Sequence, residues 1–465
     1  MEKTLSRLVL AGTGSGCGKT TAACAVLQAL VDRGLKVGAF KCGPDYIDPM
    51  FHSRVIGAKS GNLDLFFFSP PTLRALLARG GADRDVAVIE GVMGYYDGMG
   101  LTTSRSSTWE TARETGSPAV LVVDAKGASL SVLAVVEGFL NFQADSGIRG
   151  VLLNRCTAGT YPALAGAIRE RFGDRVRPLG YLPRMPDCAL ESRHLGLVTA
   201  AEVADLKEKL AALARQAEET VDLDGLLELA GTAPPLAYEP LALPRYGEAV
   251  RIAVARDKAF CFYYEDSLEV LEDMGAELVP FSPLEDPALP EDIHGVYLGG
   301  GYPELYGERL AANEAMRASV RAALERGTPC IAECGGFMYL TEAIGEHPMA
   351  GFLPGRCFDN HRLTRFGYVT LRAKKDNLLC RAGEAIRGHE FHHWDAQCPG
   401  GDFTAEKSTG KTWDCAVATD RLYAGFPHFH FYANPEFAKN FYEACLKEKR
   451  HAESHQAHGH REVQL

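Results

Sequence analysis

Cys334 lies in the run Ala332-Glu333-Cys334-Gly335-Gly336, directly after the apolar stretch Pro329-Cys330-Ile331-Ala332. A thiol at the tip of a sharp strand-to-helix turn, with glycines that admit a substrate, makes a nucleophile elbow. A helix N-terminus behind it lowers the thiol pKa and favours thiolate, the form needed for acyl transfer. The same residues also fit a buried, inert cysteine, so the choice rests on what else the chain carries. Val296-Tyr297-Leu298 runs into Gly299, Gly300 and Gly301, then Tyr302-Pro303-Glu304. Backbone amides there, with Gly335, are candidates to hold the oxyanion that develops when an amide carbonyl is attacked; a plain glycine turn is the alternative. Phe426-Pro427-His428-Phe429-His430-Phe431 alternates as a strand does and puts both histidines on one face. Either is a candidate general base, and both also fit a core position.

A second chemistry sits near the N-terminus. Gly12-Thr13-Gly14-Ser15-Gly16-Cys17-Gly18-Lys19-Thr20-Thr21 joins an apolar strand to a helical pattern. Gly14, Gly16 and Gly18 free backbone amides to wrap phosphate oxygens. Lys19 reaches the β/γ-phosphates, Thr20 ligates Mg²⁺, and Thr21 follows on the helix. The strict GxxxxGK[ST] pattern is not met, because position 13 is Thr and the loop is longer. Lys41-Cys42-Gly43-Pro44-Asp45-Tyr46-Ile47-Asp48-Pro49 follows the next strand. Its Asp45 and Asp48, beside the cation Lys41, are candidates to place Mg²⁺ and orient an acidic substrate; a polar turn is the bland reading. Glu90 ends the strand Val86–Ile89 where α/β sheets bind ligands. It is a candidate Mg²⁺ ligand or merely a strand-end acid. Asp97 lies on a following loop that could fold over the site. Asn154, after a later strand, is either a reader of the nucleotide base or a turn residue.

These groups need rigid elements beneath them. Leu8–Ala11, Val37–Phe40, Val86–Ile89, Ala119–Val123 and Gly150–Leu153 are continuous apolar runs, separated by helical patterns such as Lys19–Arg33. That pattern predicts parallel strands buried on both faces, in a doubly wound α/β sheet. Residues 196–230 read as helical. Residues 231–249, with Pro234, Pro235, Pro240 and Pro244, read as a linker. Val250–Val254 opens a second α/β unit running to about residue 447. The polar tail 448–465 carries His451, His455, His458 and His460; a disordered tail is expected, a metal-binding one conceivable. At 465 residues the chain is long enough for two or three domains. A net charge of −11 argues against nucleic acid as the main partner. The thirteen cysteines form no CxxC pair, which fits reduced thiols rather than a disulfide framework. No apolar stretch reaches the ~18 residues of a membrane span, so a cytoplasmic, membrane-free protein is expected.

The long phosphate loop resembles those of dethiobiotin synthetases, related amide synthetases and partitioning ATPases. The whole chain resembles cobyrinic acid a,c-diamide synthases, in which such an ATPase is joined to a class I glutamine amidotransferase domain. The residues carrying this are Gly12–Thr21, Lys41–Pro49, Asn62-Leu63-Asp64, Glu90–Gly98, Gly299–Glu304, Glu333–Gly336, Gly388-His389-Glu390-Phe391-His392 and Pro427–Pro435. The resemblance implies two doubly wound domains, a P-loop amidoligase at 1–230 and an amidotransferase at 250–447. It implies ATP and Mg²⁺ as cofactors, and ATP, glutamine and a tetrapyrrole carboxylic acid as small-molecule partners, in a possible homodimer. Cys334, activated by His428, is implied to release ammonia from glutamine. That ammonia then displaces phosphate from an acyl phosphate made on the a and c acetates of the ring. Tyr46, Ile47, Lys41 and Asp97 are implied to meet the macrocycle. Ordinary class I amidotransferases carry Glu two residues after the histidine; here that residue is His430, and the resemblance to the cobyrinate-type branch implies either a Cys–His pair or another orienter. His389 and His392 either bind substrate, shape an interface or are structural. Sirohydrochlorin, its nickel form or sirohaem are alternative rings. A partitioning-type ATPase switch and a stand-alone glutaminase with a regulatory nucleotide domain are rival classes.

Overall fold

The computed structural model of the chain describes residues 1–188 and 200–462. It divides into two compact units, Met1–Leu241 and Ala242–Leu465, at a point inside the proline-bearing segment. The first part of that segment belongs to the first unit. Leu236–Ala237 pairs antiparallel with Glu2–Lys3. The buried Arg7 guanidinium donates to the carbonyls of Leu5, Thr115 and Pro234 at 2.7–2.9 Å.

The first unit is built on seven strands: β1 Arg7–Gly12, β2 Val37–Cys42, β3 Lys59–Leu63, β4 Val86–Glu90, β5 Ala119–Asp124, β6 Ile148–Asn154 and β7 Arg177–Leu182. Their order is β3-β2-β4-β1-β5-β6-β7, and every neighbouring pair is parallel. Every residue of β1, β2 and β4 is buried, which is why these strands read as unbroken apolar runs rather than alternation. Helix α1, Lys19–Asp32, follows β1 through the glycine loop. Its run Ala22–Leu27 is wholly buried, against the sheet on one side and α2, Ala200–Thr220, on the other. Part of the helix expected over 196–230, residues 196–199, lies outside the described residues. Because all strands are parallel, the loops after β1, β2 and β4 leave from one edge of the sheet, where the chemistry-bearing residues lie.

The second unit has a mainly parallel sheet of β8 Val250–Ala255, β9 Ala276–Phe281, β10 Gly295–Leu298, β11 Cys330–Glu333, β12 Val417–Ala418 and β13 Leu422–Gly425. The order is β9-β8-β10-β11-β13-β12, with only the last pair antiparallel. The sequence reading did not foresee a second, antiparallel sheet. It runs Thr412–Cys415, Phe403–Glu406, Arg365–Ala373, Ala385–His392 and His428–Phe429 in spatial order. Ala385–His392 alternates buried and less buried positions, the period-two pattern of a sheet with one packed face. The short helix α3, Gly335–Leu340, follows β11. The C-terminal helix α4 spans Pro435–Glu462, so the expected disordered tail is helical up to residue 462; residues 463–465 lie outside the described part. Phe437, Ala438, Phe441, Tyr442 and Cys445 form its buried stripe. Past Leu446 the good helix formers Lys, Glu, Ala and Arg carry the helix on. Among the described residues no helix is long and apolar enough to cross a membrane.

Candidate active sites

In the second unit, Cys334 stands between β11 and α3 with φ 48° and ψ −102°, a backbone conformation few non-glycine residues adopt. Such a conformation costs on the order of 1–3 kcal/mol and persists only where the surroundings impose it. Here the Cys334 amide donates to the Gly425 carbonyl at 2.7 Å, and its own carbonyl accepts from Met338 at 2.9 Å. The next two glycines are set by close approach. A Cβ on Gly335 would lie 2.9 Å from Pro303 Cδ and 3.2 Å from the Gly301 nitrogen, and one on Gly336 would lie 2.2 Å from the Leu298 carbonyl oxygen. The elbow therefore abuts the glycine run after β10.

His428 belongs to the same cluster. A Cβ on Gly300 would sit 2.3 Å from His428 Cε1, so the imidazole lies over that glycine. The ring is buried, and its Nδ1 is 3.2 Å from Glu333 Oε2. An ionised carboxylate only accepts, so Nδ1 carries the proton and Nε2 is left to take one. The other Glu333 oxygen accepts from the Tyr297 hydroxyl at 3.1 Å. Glu333 thus fills the orienting role that His430 cannot. His430 is fully buried beside Tyr264, its Nδ1 accepts from the Tyr432 amide at 3.2 Å, and burial pushes its pKa down to about 3. Of the two alternating histidines, His428 is the one whose ring nitrogen lies against the Glu333 carboxylate.

Two expectations change. Burial, and next the nearby Glu304 charge, push the Cys334 thiol well up, not down, so α3 does not hold it as thiolate in the free protein. Gly299 does not offer its amide to an oxyanion, because that N–H donates to the Tyr263 hydroxyl at 2.8 Å. Gly300, Gly301 and Gly335 remain beside the elbow.

In the first unit, α1 begins at Lys19 directly after Gly18, whose φ of 90° is left-handed. A Cβ on Gly18 would lie 1.8 Å from Asn154 Nδ2, while Gly14 and Gly16 have nothing within 4 Å of that position. Asn154 donates to the Cys17 carbonyl at 2.9 Å, and Arg155 donates to Gly16 at 3.0 Å while pairing with Asp124. Asn154 therefore props the loop, a role different from reading a base. Lys19 is buried, and desolvation followed by the Lys41 charge pulls its pKa below the usual range. Thr20 Oγ1 donates to Glu90 Oε1 at 2.9 Å.

Beyond them lies a buried ion network. Lys41 Nζ is 2.7 Å from Glu90 Oε1 and 2.6 Å from Asp48 Oδ2. Against the cost of desolvation, those carboxylates hold the Lys41 ammonium charged and Lys41 holds Asp48 ionised. Asp45 is tied into the turn instead, with Oδ1 accepting from the amides of Ile47 and Asp48, and burial beside Asp48 raises its carboxyl to about 7. Asn62 donates to the carbonyls of Gly43 and Asp45, and Asp64 accepts from Phe66 and Phe67, so the Asn62-Leu63-Asp64 run is scaffolding. His52 was missed: it is buried, with Nε2 3.5 Å from Glu90 Oε2. Its place in Lys41–His52 is a spacing signal only once the helix Ile47–Phe51 is known. Ile47 packs on the core, and Tyr46 begins that helix. Asp97 is exposed and caps its own turn by accepting from the Gly94 amide at 2.7 Å.

Residues 8–198 match the CobQ/CobB/MinD/ParA nucleotide binding domain, and residues 251–436 match the CobB/CobQ-like glutamine amidotransferase domain. Over 452 residues the chain is 41% identical to the cobyrinate a,c-diamide synthase of Salmonella typhimurium, covering 94% of this chain and 98% of that one. It is 40% identical to the enzyme of the same name from Listeria monocytogenes, covering 92% and 97%. The Thermoplasma volcanium enzyme of that name is also 40% identical, covering 95% and 97%. Taken with a phosphate loop in one unit and a Cys–His–Glu arrangement in the other, this near full-length likeness places the chain in the cobyrinate a,c-diamide synthase family.

Proposed function

We propose that the protein is a glutamine-dependent carbon–nitrogen ligase that amidates the a and c acetates of cobyrinic acid, driven by ATP. The observation that carries this is the joining of Cys334, His428 and Glu333 in a chain that also holds Lys19 and Thr20 on a phosphate loop. A carboxylate is a poor electrophile, so phosphorylation must first supply a leaving group, and the first unit is where that happens. Lys19 neutralises the transferred phosphoryl charge, and the loop amides around Gly14, Gly16 and Gly18 cradle it. A Mg²⁺ ion would need only one or two oxygens from the protein. Thr20 and Glu90 supply such oxygens, with Asp48 beside them, and Glu90 Oε2 has no hydrogen-bond donor. When bound, the ion neutralises charge on the phosphates. Lys41 orients the acidic substrate.

In the second unit, His428 Nε2 takes the Cys334 proton as the sulfur attacks the glutamine amide carbon. Glu333 holds the imidazole in the right tautomer and balances the imidazolium that forms. The amides by Gly301 and Gly335 face the developing oxyanion. Ammonia leaves with the proton returned by His428, and water hydrolyses the thioester to glutamate. The ammonia attacks the acyl phosphate and expels phosphate.

The direct test incubates the enzyme with ATP and glutamine against a panel of corrin and sirohydrochlorin acids, metal-free, cobalt and nickel, and weighs the products. Two amidations on cobyrinic acid, with little turnover of the others, are expected. Preferred turnover of a sirohydrochlorin or sirohaem acid moves the ring assignment, and ATP hydrolysis without any amidation sinks the ligase reading.

A further inference from the structure

The strand Ala385–His392 carries two polar groups that the mechanism above does not use. Glu390 and His392 alternate onto the packed face of this strand, 2% and 7% exposed. Glu390 directly follows His389, the residue paired across the sheet with His428. His392 stacks flat on Phe426, with centroids 4.0 Å apart and planes at 5°. Phe426 in turn follows Gly425, whose carbonyl holds the Cys334 amide. Both groups therefore lie beside the elbow, and the Glu390 charge is close enough to raise the Cys334 thiol.

Their hydrogen-bonding state is decided by their partners. His392 Nδ1 lies 2.6 Å from the Trp394 carbonyl, which can only accept, so the proton is on Nδ1. Burial keeps the ring neutral, its pKa pushed down to about 4. Its Nε2 is thus a bare lone pair, buried and without a donor. Glu390 takes a side-chain hydrogen bond from Trp413, yet its Oε2 is buried with no partner. Once Glu390 is ionised, two acceptors without donors share one strand face next to a glutaminase-type nucleophile, a large cost if left dry. What satisfies both is a small group rich in N–H donors.

We propose that Glu390 and His392 form an acceptor site for an ammonium-type nitrogen, either the α-ammonium of glutamine or the ammonia its amide releases. The assignment rests on the glutaminase reading of Cys334 and names the residues that hold the nitrogen there. Glu390→Gln replaces an acceptor with an amide nitrogen, and His392→Phe keeps the stack on Phe426 while deleting both ring nitrogens. Each variant is compared with wild type for glutamate release from glutamine, hydrolysis of glutaramate (glutamine without its α-amino group), and amide formed per glutamate released. All rates are divided by the variant's own ammonia-driven amidation rate, and thermal melting confirms a folded chain.

If the α-ammonium is held here, KM for glutamine rises about ten- to a hundredfold with kcat less affected, the scale of a charge-assisted hydrogen bond, and the preference over glutaramate collapses. If ammonia is held here, glutamate release keeps its KM while the amide formed per glutamate falls to half or less. Unchanged glutamine preference together with unchanged coupling in both folded variants overturns the proposal. Failure of wild type to release glutamate at all, while ammonia-driven amidation proceeds, would instead overturn the glutaminase reading itself.

Discussion

The two candidate sites solve the problem of burying polar chemistry in opposite ways. In the first unit, Lys41, Asp48 and Glu90 are buried as charges and repaid by one another at 2.6–2.7 Å. In the second, Cys334, Glu304, Glu390, His389 and His392 are all pushed toward their neutral forms by burial. The difference follows from the ligands. A site for phosphates and a carboxylate profits from fixed charge set in place before they arrive. A site that must move one proton from sulfur to imidazole, and release ammonia unprotonated, profits from staying neutral and dry until glutamine enters.

The sharpest way to break this comparison is to separate the nitrogen sources. Cys334→Ala should lower glutamine-driven amidation by roughly 10⁴-fold or more while ammonia-driven amidation stays near wild type. Lys19→Ala should stop both. Parallel loss of both reactions in Cys334→Ala would mean the sites do not act separately, and ammonia-driven turnover by Lys19→Ala would remove the phosphate-loop assignment.

Within the second unit, Glu333→Gln keeps the side chain's size but no longer fixes the proton on His428 Nδ1. Glutaminase activity should fall by up to about 10⁴-fold, the loss a catalytic triad shows when its carboxylate is made an amide. His428→Ala should impair glutaminase at least as much, and far more than His430→Ala. The reverse ranking would move the base to His430, despite that ring's place against the Tyr432 amide.

Much of this contrast was legible beforehand because its residues are local in sequence. Gly12–Thr21 and Lys41–Asp48 each sit within one loop after one strand, and unbroken apolar runs announce strands buried on both faces. The orienter of His428 was not legible, although it is the neighbour of Cys334. Glu333 reads as one more residue of an apolar strand until the register sets it opposite Gly425, three residues from the histidine. His52 hid for the same reason, since its approach to Glu90 crosses two elements. Asn154 and Gly299 were read for what their side chain or amide could offer a ligand. Their protein partners, Cys17 and Tyr263, come from distant segments that no spacing rule connects. The antiparallel sheet escaped because half-buried alternation is a weaker signal than a continuous apolar run.

In the first unit the charges are expected to be coupled to stability. Lys41→Met removes the cation that two buried carboxylates share, leaving Asp48 and Glu90 unpaired. A loss of about 3–5 kcal/mol is expected by chemical denaturation, along with amidation from either nitrogen source. A loss under about 1 kcal/mol would mean the carboxylates simply take up protons, and the site is not held charged.

The smallest effect is a slope, and it tests the neutral half of the comparison. Burial raises the Glu390 carboxyl to about 7, above the roughly 4.3 of a free glutamate. Between those values the folded chain binds a proton the unfolded chain does not. The stability Glu390 contributes is therefore full below about pH 4.3 and is lost as pH rises through about 7. His392 runs the other way: its folded pKa of about 4 lies below the roughly 6.5 of free imidazole, so unfolding takes up a proton and stability rises with pH across that window. Wild-type stability measured relative to Glu390→Gln should fall by at most about 3 kcal/mol from pH 4 to pH 8. Measured relative to His392→Phe, it should rise between pH 4 and pH 6.5. The Lys41–Asp48 pair should add no slope over the same range, since Asp48 stays ionised and Lys41 stays charged; the first unit's falling slope there belongs to Asp45 beside them, whose carboxyl burial raises to about 7. Absence of a slope in both second-unit comparisons would show that these two residues titrate as ordinary surface groups, and the contrast between a charged site and a neutral one would fail at its neutral end.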